Sequence, residues 1–253
     1  MILITSSSYI CKVENNIETA DNSTSFSLNV SIAAFTITGN NLEILLAQRN
    51  QGPFRDAWEL LSSPIHHEES PDTTVLRKLE AATRRSIPIT HLEQLATYGA
   101  PERDPRVRTI SIAYLAVVPN FRKFKITDLE INIEAISISE IKRGNIKFAF
   151  DHETIVNDAI QRIQSKLEYT NIATHFFEDS FTLSQLRNVY EATWDTSVTP
   201  GNFQRKILQQ EGFLKPLGKK LSGDNKSGRP ADLFIAGPEE NLSPPLKRNK
   251  PSG

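Results

Sequence analysis

Trp58-Glu59-Leu60-Leu61-Ser62-Ser63-Pro64-Ile65-His66-His67-Glu68-Glu69, with the run from Arg77-Lys78-Leu79-Glu80 to Ala81-Ala82-Thr83 behind it, decides how this chain is read. Residues 71–86 carry a helical pattern, with Val75, Leu79 and Ala82 falling on one apolar face. A polar loop ending in Glu69 leads into that helix, and Arg77 follows two turns in. Positions three and four residues apart share a helix face. Glutamates at 78, 81 and 82 would therefore converge and could hold Mg²⁺ through carboxylate oxygens. The chain has Lys78, Ala81 and Ala82 there: one cation and two side chains without a donor.

In layout the stretch resembles the Nudix box, Gly-x5-Glu-x7-Arg-Glu-U-x-Glu-Glu-x-Gly-U, where U is bulky and apolar. Glu69, Arg77 and Leu79 fit. Lys78, Ala81 and Ala82 stand where the metal-binding glutamates belong, Ser63 where the first glycine belongs and Arg84 where the last does. Glu80 falls on the neutral position, pointing away from the cluster. The expectation is a Nudix-like domain kept for binding and not an enzyme, with no catalytic residue, no metal site and no cofactor. His66-His67-Glu68-Glu69 does not alter this, because adjacent histidines on a loop rarely point the same way. Asp151 and His152 are read as capping a helix rather than as catalytic.

At 253 residues the chain can bury a sizeable core and suits two domains. Its 38% hydrophobic and 23% charged residues are ordinary for a globular protein. A formal net charge of -1 argues against a general polyanion binder. The single cysteine, Cys11, excludes an internal disulfide and a cysteine zinc site, and points to a reducing compartment. No apolar run is long enough to span a membrane, and the first residues make a poor secretory signal, so a cytoplasmic location is expected.

Residues 1–27 read as a polar N-terminal extension. Alternation around Val30, Ile32, Ala34 and Phe35 predicts a strand over 29–38, and Gly39-Asn40-Asn41 turns into a second over 42–48. After the 71–86 helix, strands are expected at 94–98, 106–118 and 129–141, then a helix over 149–167 with Asp151 as its N-cap. The sum is an α+β fold, an α/β/α sandwich, over 28–150, with 151–169 as a linker helix. Beyond it come short helices at 170–177 and 181–192. Thr182 and Gln185 give the second of these a capping-box signature. Thr199-Pro200 opens a third helix over 201–210, and strands at 213–217 and 231–235 flank a Gly/Ser/Lys loop. Three helices and a hairpin over 170–236 make a winged helix-turn-helix, followed by a flexible tail over 237–253.

Several short motifs in order resemble an NrtR-type, Nudix-related transcriptional regulator. They are Leu46-Ala47-Gln48-Arg49 with Pro53-Phe54-Arg55-Asp56-Ala57-Trp58; Pro101-Glu102-Arg103-Asp104-Pro105-Arg106; Ala149-Phe150-Asp151-His152; Lys166-Leu167-Glu168-Tyr169-Thr170; Asn202-Phe203-Gln204-Arg205-Lys206; and Gly228-Arg229-Pro230-Ala231. The resemblance implies a DNA-binding repressor that senses a nucleotide-derived effector such as ADP-ribose or NAD, acting as a homodimer on double-stranded operator DNA.

The residues themselves indicate where each ligand would sit. The second helix of a helix-turn-helix presents its N-terminal part to base edges, and here it carries Asn202, Gln204, Arg205 and Lys206. Lys215, Lys219 and Arg229 on the hairpin would reach phosphates or the minor groove. Candidates for an anionic effector are Arg49, Arg55, Arg103, Arg106 and Arg108, with Phe54 and Trp58 to cover a ring. The alternatives are a sugar-responsive regulator of the same architecture, an Mg²⁺-dependent nucleoside-diphosphate hydrolase using Glu69 and Glu80, and a protein-interaction adaptor.

Overall fold

The computed structural model describes residues 26–83, 88–121, 132–221 and 230–248. Among these, strands β1 (Ser27–Thr38), β2 (Asn41–Gln48), β3 (Trp58–Pro64), β4 (His91–Tyr98), β5 (Thr109–Val117) and β6 (Asn132–Ser137) form one mixed sheet in the order β4-β5-β1-β3-β2-β6. β1 and β5 run parallel, while the remaining neighbours are antiparallel. β1 turns into β2 at Gly39, whose φ of 57° suits a residue without a Cβ.

β3 has no counterpart among the expected strands. Ser62-Ser63-Pro64 looks like loop, yet the segment pairs with β1 on one side and β2 on the other. Leu60 and Leu61 are both buried on opposite faces, so tertiary pairing decides its conformation. The strand expected over 129–141 is likewise corrected. It ends at Ser137, whose hydroxyl accepts from the Glu140 amide and starts helix α2 (Ile138–Lys142).

The sheet is covered on both faces. Helix α1 (Pro71–Thr83) lays Val75, Leu79 and Ala82 against Val30, Ile32, Leu45 and Leu61. Each such fully buried Val or Leu contributes about 1.5–3 kcal/mol. Helix α3 (His152–Tyr169) covers the other face with Ile155, Val156, Ala159, Ile160, Ile163 and Leu167. That second core runs without a break into the C-terminal domain, through Ile172, Phe181, Leu186, Tyr190, Phe203 and Phe234.

The C-terminal domain contains a 3-10 helix (Asn171–Phe176), a short strand β7 (Phe181–Thr182), helices α4 (Leu183–Trp194) and α5 (Pro200–Leu208), and strands β8 (Leu214–Leu221) and β9 (Ala231–Ala236). Its small sheet has the order β7-β9-β8. Thr182 and Gln185 form both halves of the capping box predicted for α4. Thr199 begins α5 without a side-chain cap, and Pro200 supplies the first turn.

The segment read as a flexible tail is packed as far as it is described. Leu242 and Leu246 are buried, and their amides donate to Tyr169 O and Glu168 O at the end of α3. A Cβ at Gly237 would meet the Gly212 carbonyl oxygen at 1.9 Å, so only glycine lets the strap leave the wing there. Burial of two leucines overrides the Pro/Lys composition that suggested disorder. No described helix is long and apolar enough to cross a membrane. Most of the 1–27 extension, together with Cys11, Arg84 and Arg229, lies outside the described residues.

Candidate functional site

Helix α1 and its preceding loop are tied together by Glu69. Arg77 Nε and Nη2 donate to its two carboxylate oxygens at 2.6 and 2.9 Å, and Thr74 Oγ1 donates at 3.0 Å. The bond from Arg77 holds the Glu69 carboxyl well below its usual range, at about 2. Arg77 also donates to Ser63 Oγ and Pro64 O, so the pair staples loop to helix. Of the three positions where the box has its metal-binding glutamates, Lys78 is half-buried, Ala81 exposed and Ala82 packed in the core against the sheet. Among the described residues no group of three or more His, Cys, Asp or Glu comes close enough to hold a metal ion.

The arginines gather elsewhere. A cavity of about 350 Å³ opens between β1, the ends of β2 and β3, the 101–106 loop and the start of α3; Arg49, Arg103 and Arg106 all line it. Each guanidinium already holds a carboxylate. Arg49 Nη1 donates to Glu59 at 2.5 Å, Arg103 donates through Nε and Nη2 to both oxygens of Asp151 at 2.9 and 2.7 Å, and Arg106 does the same to Asp104. The Arg106 bonds hold the Asp104 carboxyl below its ordinary range and push Arg106 up. Asp151 stands at the N-cap of α3 but makes no side-chain cap hydrogen bond, because Arg103 takes both its oxygens. Asp151 thus holds the N-cap position expected of it, but its side chain serves Arg103 and not the helix amides.

Two of these cations lie near the Phe150 ring. Arg49 Cζ is 4.8 Å and Arg106 Cζ 5.2 Å from its ring centroid, both within cation–π range. Phe54 meets the same ring edge-on at 5.0 Å. Behind it His152 is buried, and its Nδ1 accepts from the Leu60 amide at 3.0 Å, which places the proton on Nε2. Burial pushes its pKa down to about 4, so the imidazole is neutral at pH 7. Among the described residues one polar atom of the cluster is left over: Arg49 Nη2 is buried with no hydrogen-bond partner. An unpaired buried N–H is costly, and an anionic oxygen would satisfy it.

The other residues expected at an effector site lie outside this cavity. Arg55 is exposed on the 49–57 loop. Trp58 packs against the core below, with its amide donating to Lys147 O. Arg108 donates to Ala100 O and covers the Phe26 ring. Sequence reading passed over Glu59, Asp104, Phe150 and His152 as pocket groups, and Asp151 as the partner of Arg103; the Ala149-Phe150-Asp151-His152 run was the available signal. A second cleft, about 600 Å³, opens between the Gly39–Asn40 turn and α4, bridged by Asn188 donating to Gly39 O at 2.6 Å.

In the C-terminal domain, α5 buries Phe203 and Ile207, one turn apart, and exposes Asn202, Gln204, Arg205 and Lys206. Lys215 and Lys219 are exposed on β8. Among the described residues none of Arg205, Lys206, Lys215 and Lys219 is held in an ion pair. A helix-turn-helix formed by α4 and α5, with the β8–β9 hairpin beside it, is a DNA-binding arrangement.

The class that this fold and these sites define is a Nudix-like domain joined to a winged helix-turn-helix. Residues 173–235 match the NrtR DNA-binding winged helix domain. The chain is 26% identical over 207 residues to a protein of Acinetobacter baylyi named an ADPR responsive transcriptional repressor, covering 82% of this chain and 80% of that one. The crystal structure of Shewanella oneidensis NrtR complexed with a 27mer DNA superposes with a TM-score of 0.74 at 27% identity, over 87% of this chain and 99% of that one. An ADP-ribose pyrophosphatase of Methanocaldococcus jannaschii is 28% identical over 131 residues, covering 52% of this chain and 73% of that one. The resemblance to NrtR-type, Nudix-related regulators is thus borne out across both domains.

Proposed function

We propose that this chain is an ADP-ribose-responsive transcriptional repressor. The winged helix binds operator DNA through Asn202, Gln204, Arg205, Lys206, Lys215 and Lys219, and Arg229 is proposed with them from its place in the wing sequence. The observation that carries the reading is the exposed face of α5, whose cationic side chains make no ion pair among the described residues and stand beside a buried Phe203–Ile207 stripe. The effector pocket is the arginine cavity, where Arg49, Arg103 and Arg106 meet a diphosphate and Phe150, flanked by Phe54, covers a ring. ADP-ribose has two phosphates and an adenine, and the Acinetobacter relative's name gives it as effector.

The protein acts as a homodimer in this reading, because two recognition helices one helical turn apart read a palindrome. It is not a hydrolase, since Lys78, Ala81 and Ala82 offer no metal ligand on α1. Fluorescence anisotropy on duplexes from upstream of its own and neighbouring genes tests the reading, with ADP-ribose added at saturation. Binding that ADP-ribose weakens supports it; duplexes that never bind sink it. A second reading, an Mg²⁺-dependent ADP-ribose hydrolase, is favoured by the pyrophosphatase relative. Incubation with ADP-ribose and Mg²⁺ decides between them: release of AMP above background would establish the enzyme.

A further inference from the structure

The carboxylates that hold the three cavity arginines are not equivalent. Glu59 is on β3 and Asp104 on a surface loop, but Asp151 is the residue from which α3 springs. Phe150 and His152, on either side of it, line the same cavity. The Asp151 carbonyl accepts the first α3 amides, from Thr154 and Ile155. Thirteen residues further along, roughly 20 Å at the helical rise, α3 grips the DNA-binding domain. Gln164 Nε2 donates to Thr193 O at 2.8 Å, and Trp194 Nε1 donates to Gln164 O at 3.0 Å. Arg248 closes the joint by donating to Gln164 Oε1 and Trp194 O, each at 3.1 Å. Thr193 and Trp194 end α4, and the next helix is α5 with the exposed cations. One rigid element therefore connects the cavity wall to the frame of the recognition helix.

We propose that Asp151 is the positioning residue by which the cavity controls the DNA-binding domain. A ligand whose phosphate oxygens take the Nε and Nη2 N–H groups of Arg103 displaces Asp151, because those two donors are the ones that hold its two carboxylate oxygens. With the latch open, the N-terminal end of α3 loses its tie to the 101–106 loop, and the altered seating of α3 passes through Gln164 to Thr193 and Trp194. This rests on the cavity being the effector site. Of the three pairs, only Arg103–Asp151 joins a pocket arginine to the linker helix. A ligand that displaced only Asp104 or Glu59 would leave α3 held. The differential contact required of any effector is thereby located in a single exchange.

The test is amide hydrogen exchange on the full-length chain, comparing wild type, Asp151→Asn and Glu153→Gln, each with and without ADP-ribose. Glu153 is exposed in the first turn of α3, so its variant alters the charge at the helix start without touching Arg103. Without ligand, Asp151→Asn should speed exchange at 154–156 and 193–195 at least five-fold, and Glu153→Gln less than two-fold. ADP-ribose should produce the same acceleration in wild type and add nothing to Asp151→Asn, which still binds it at least as tightly by calorimetry. Two results would overturn the latch: α3 exchange in ligand-free Asp151→Asn equal to wild type, or an ADP-ribose response that persists undiminished in that variant. A wild type that binds no ADP-ribose rejects the effector reading instead, and the ligand-free contrast still decides the latch.

Discussion

The chain carries two sets of cations, and they differ in how they are held. Arg49, Arg103 and Arg106 line a cavity, and each is paired with a carboxylate 2.5–2.7 Å away. Arg205, Lys206, Lys215 and Lys219 stand in solvent with no ion pair among the described residues. Unpaired surface cations suit a polyanion, since they displace condensed counterions at no cost in broken bonds. Paired cations in a cavity suit a small anion that must replace a resident carboxylate, which makes binding a choice between two arrangements. The difference teaches why a net charge of -1 is compatible with DNA binding: the pocket charge is internally neutralised and the winged-helix charge is not.

Variants should separate the two sets. Arg103→Met strands the Asp151 carboxylate and should cost about 3–5 kcal/mol of stability by urea denaturation, as for other broken, largely buried pairs. Adding Asp151→Asn to it should restore part of that. Equal denaturation midpoints for wild type and Arg103→Met would mean the pocket pairs are no tighter than surface ones.

The neutral imidazole behind the pocket gives a pH test. His152 is pushed down to about 4 from 6.5, so between these values the unfolded chain takes up a proton that the folded one refuses. Stability is complete above pH 6.5 and falls as pH drops toward 4, by on the order of 3 kcal/mol. His152→Asn should flatten that part of the pH–stability curve; an unchanged slope would remove His152 from the account.

For the exposed set, Arg205→Ala with Lys206→Ala should weaken operator affinity about 100-fold, and it should lower the slope of log K against log salt by about one for each residue that contacts a phosphate. Thermal stability should move by no more than about 0.5 kcal/mol. Lys215→Ala should give the smallest change, about three-fold in affinity, uniform across DNA sequences.

What could be read in the sequence was what is local. The Val75–Leu79–Ala82 face, the Thr182–Gln185 capping box and the amphipathic α5 are set by neighbours three and four residues away. β3 was missed because Ser62-Ser63-Pro64 has no strand propensity of its own and is held by β1 and β2 on either side. The cavity shows the same limit. Three of its arginines were singled out by residue type, but Arg103 and Asp151 are 48 residues apart, and the meeting of Phe150 with Arg49 and Arg106 depends on the whole sheet. Leu242 and Leu246 looked like tail residues until the groove beside α3 was formed to receive them.

The most direct test of the central claim is the affinity of the full-length protein for its upstream duplex, measured by anisotropy at fixed salt with and without saturating ADP-ribose. The account predicts tight binding that ADP-ribose weakens at least ten-fold while the nucleotide is recovered intact. Binding indifferent to ADP-ribose, or ADP-ribose consumed during the titration, would contradict it.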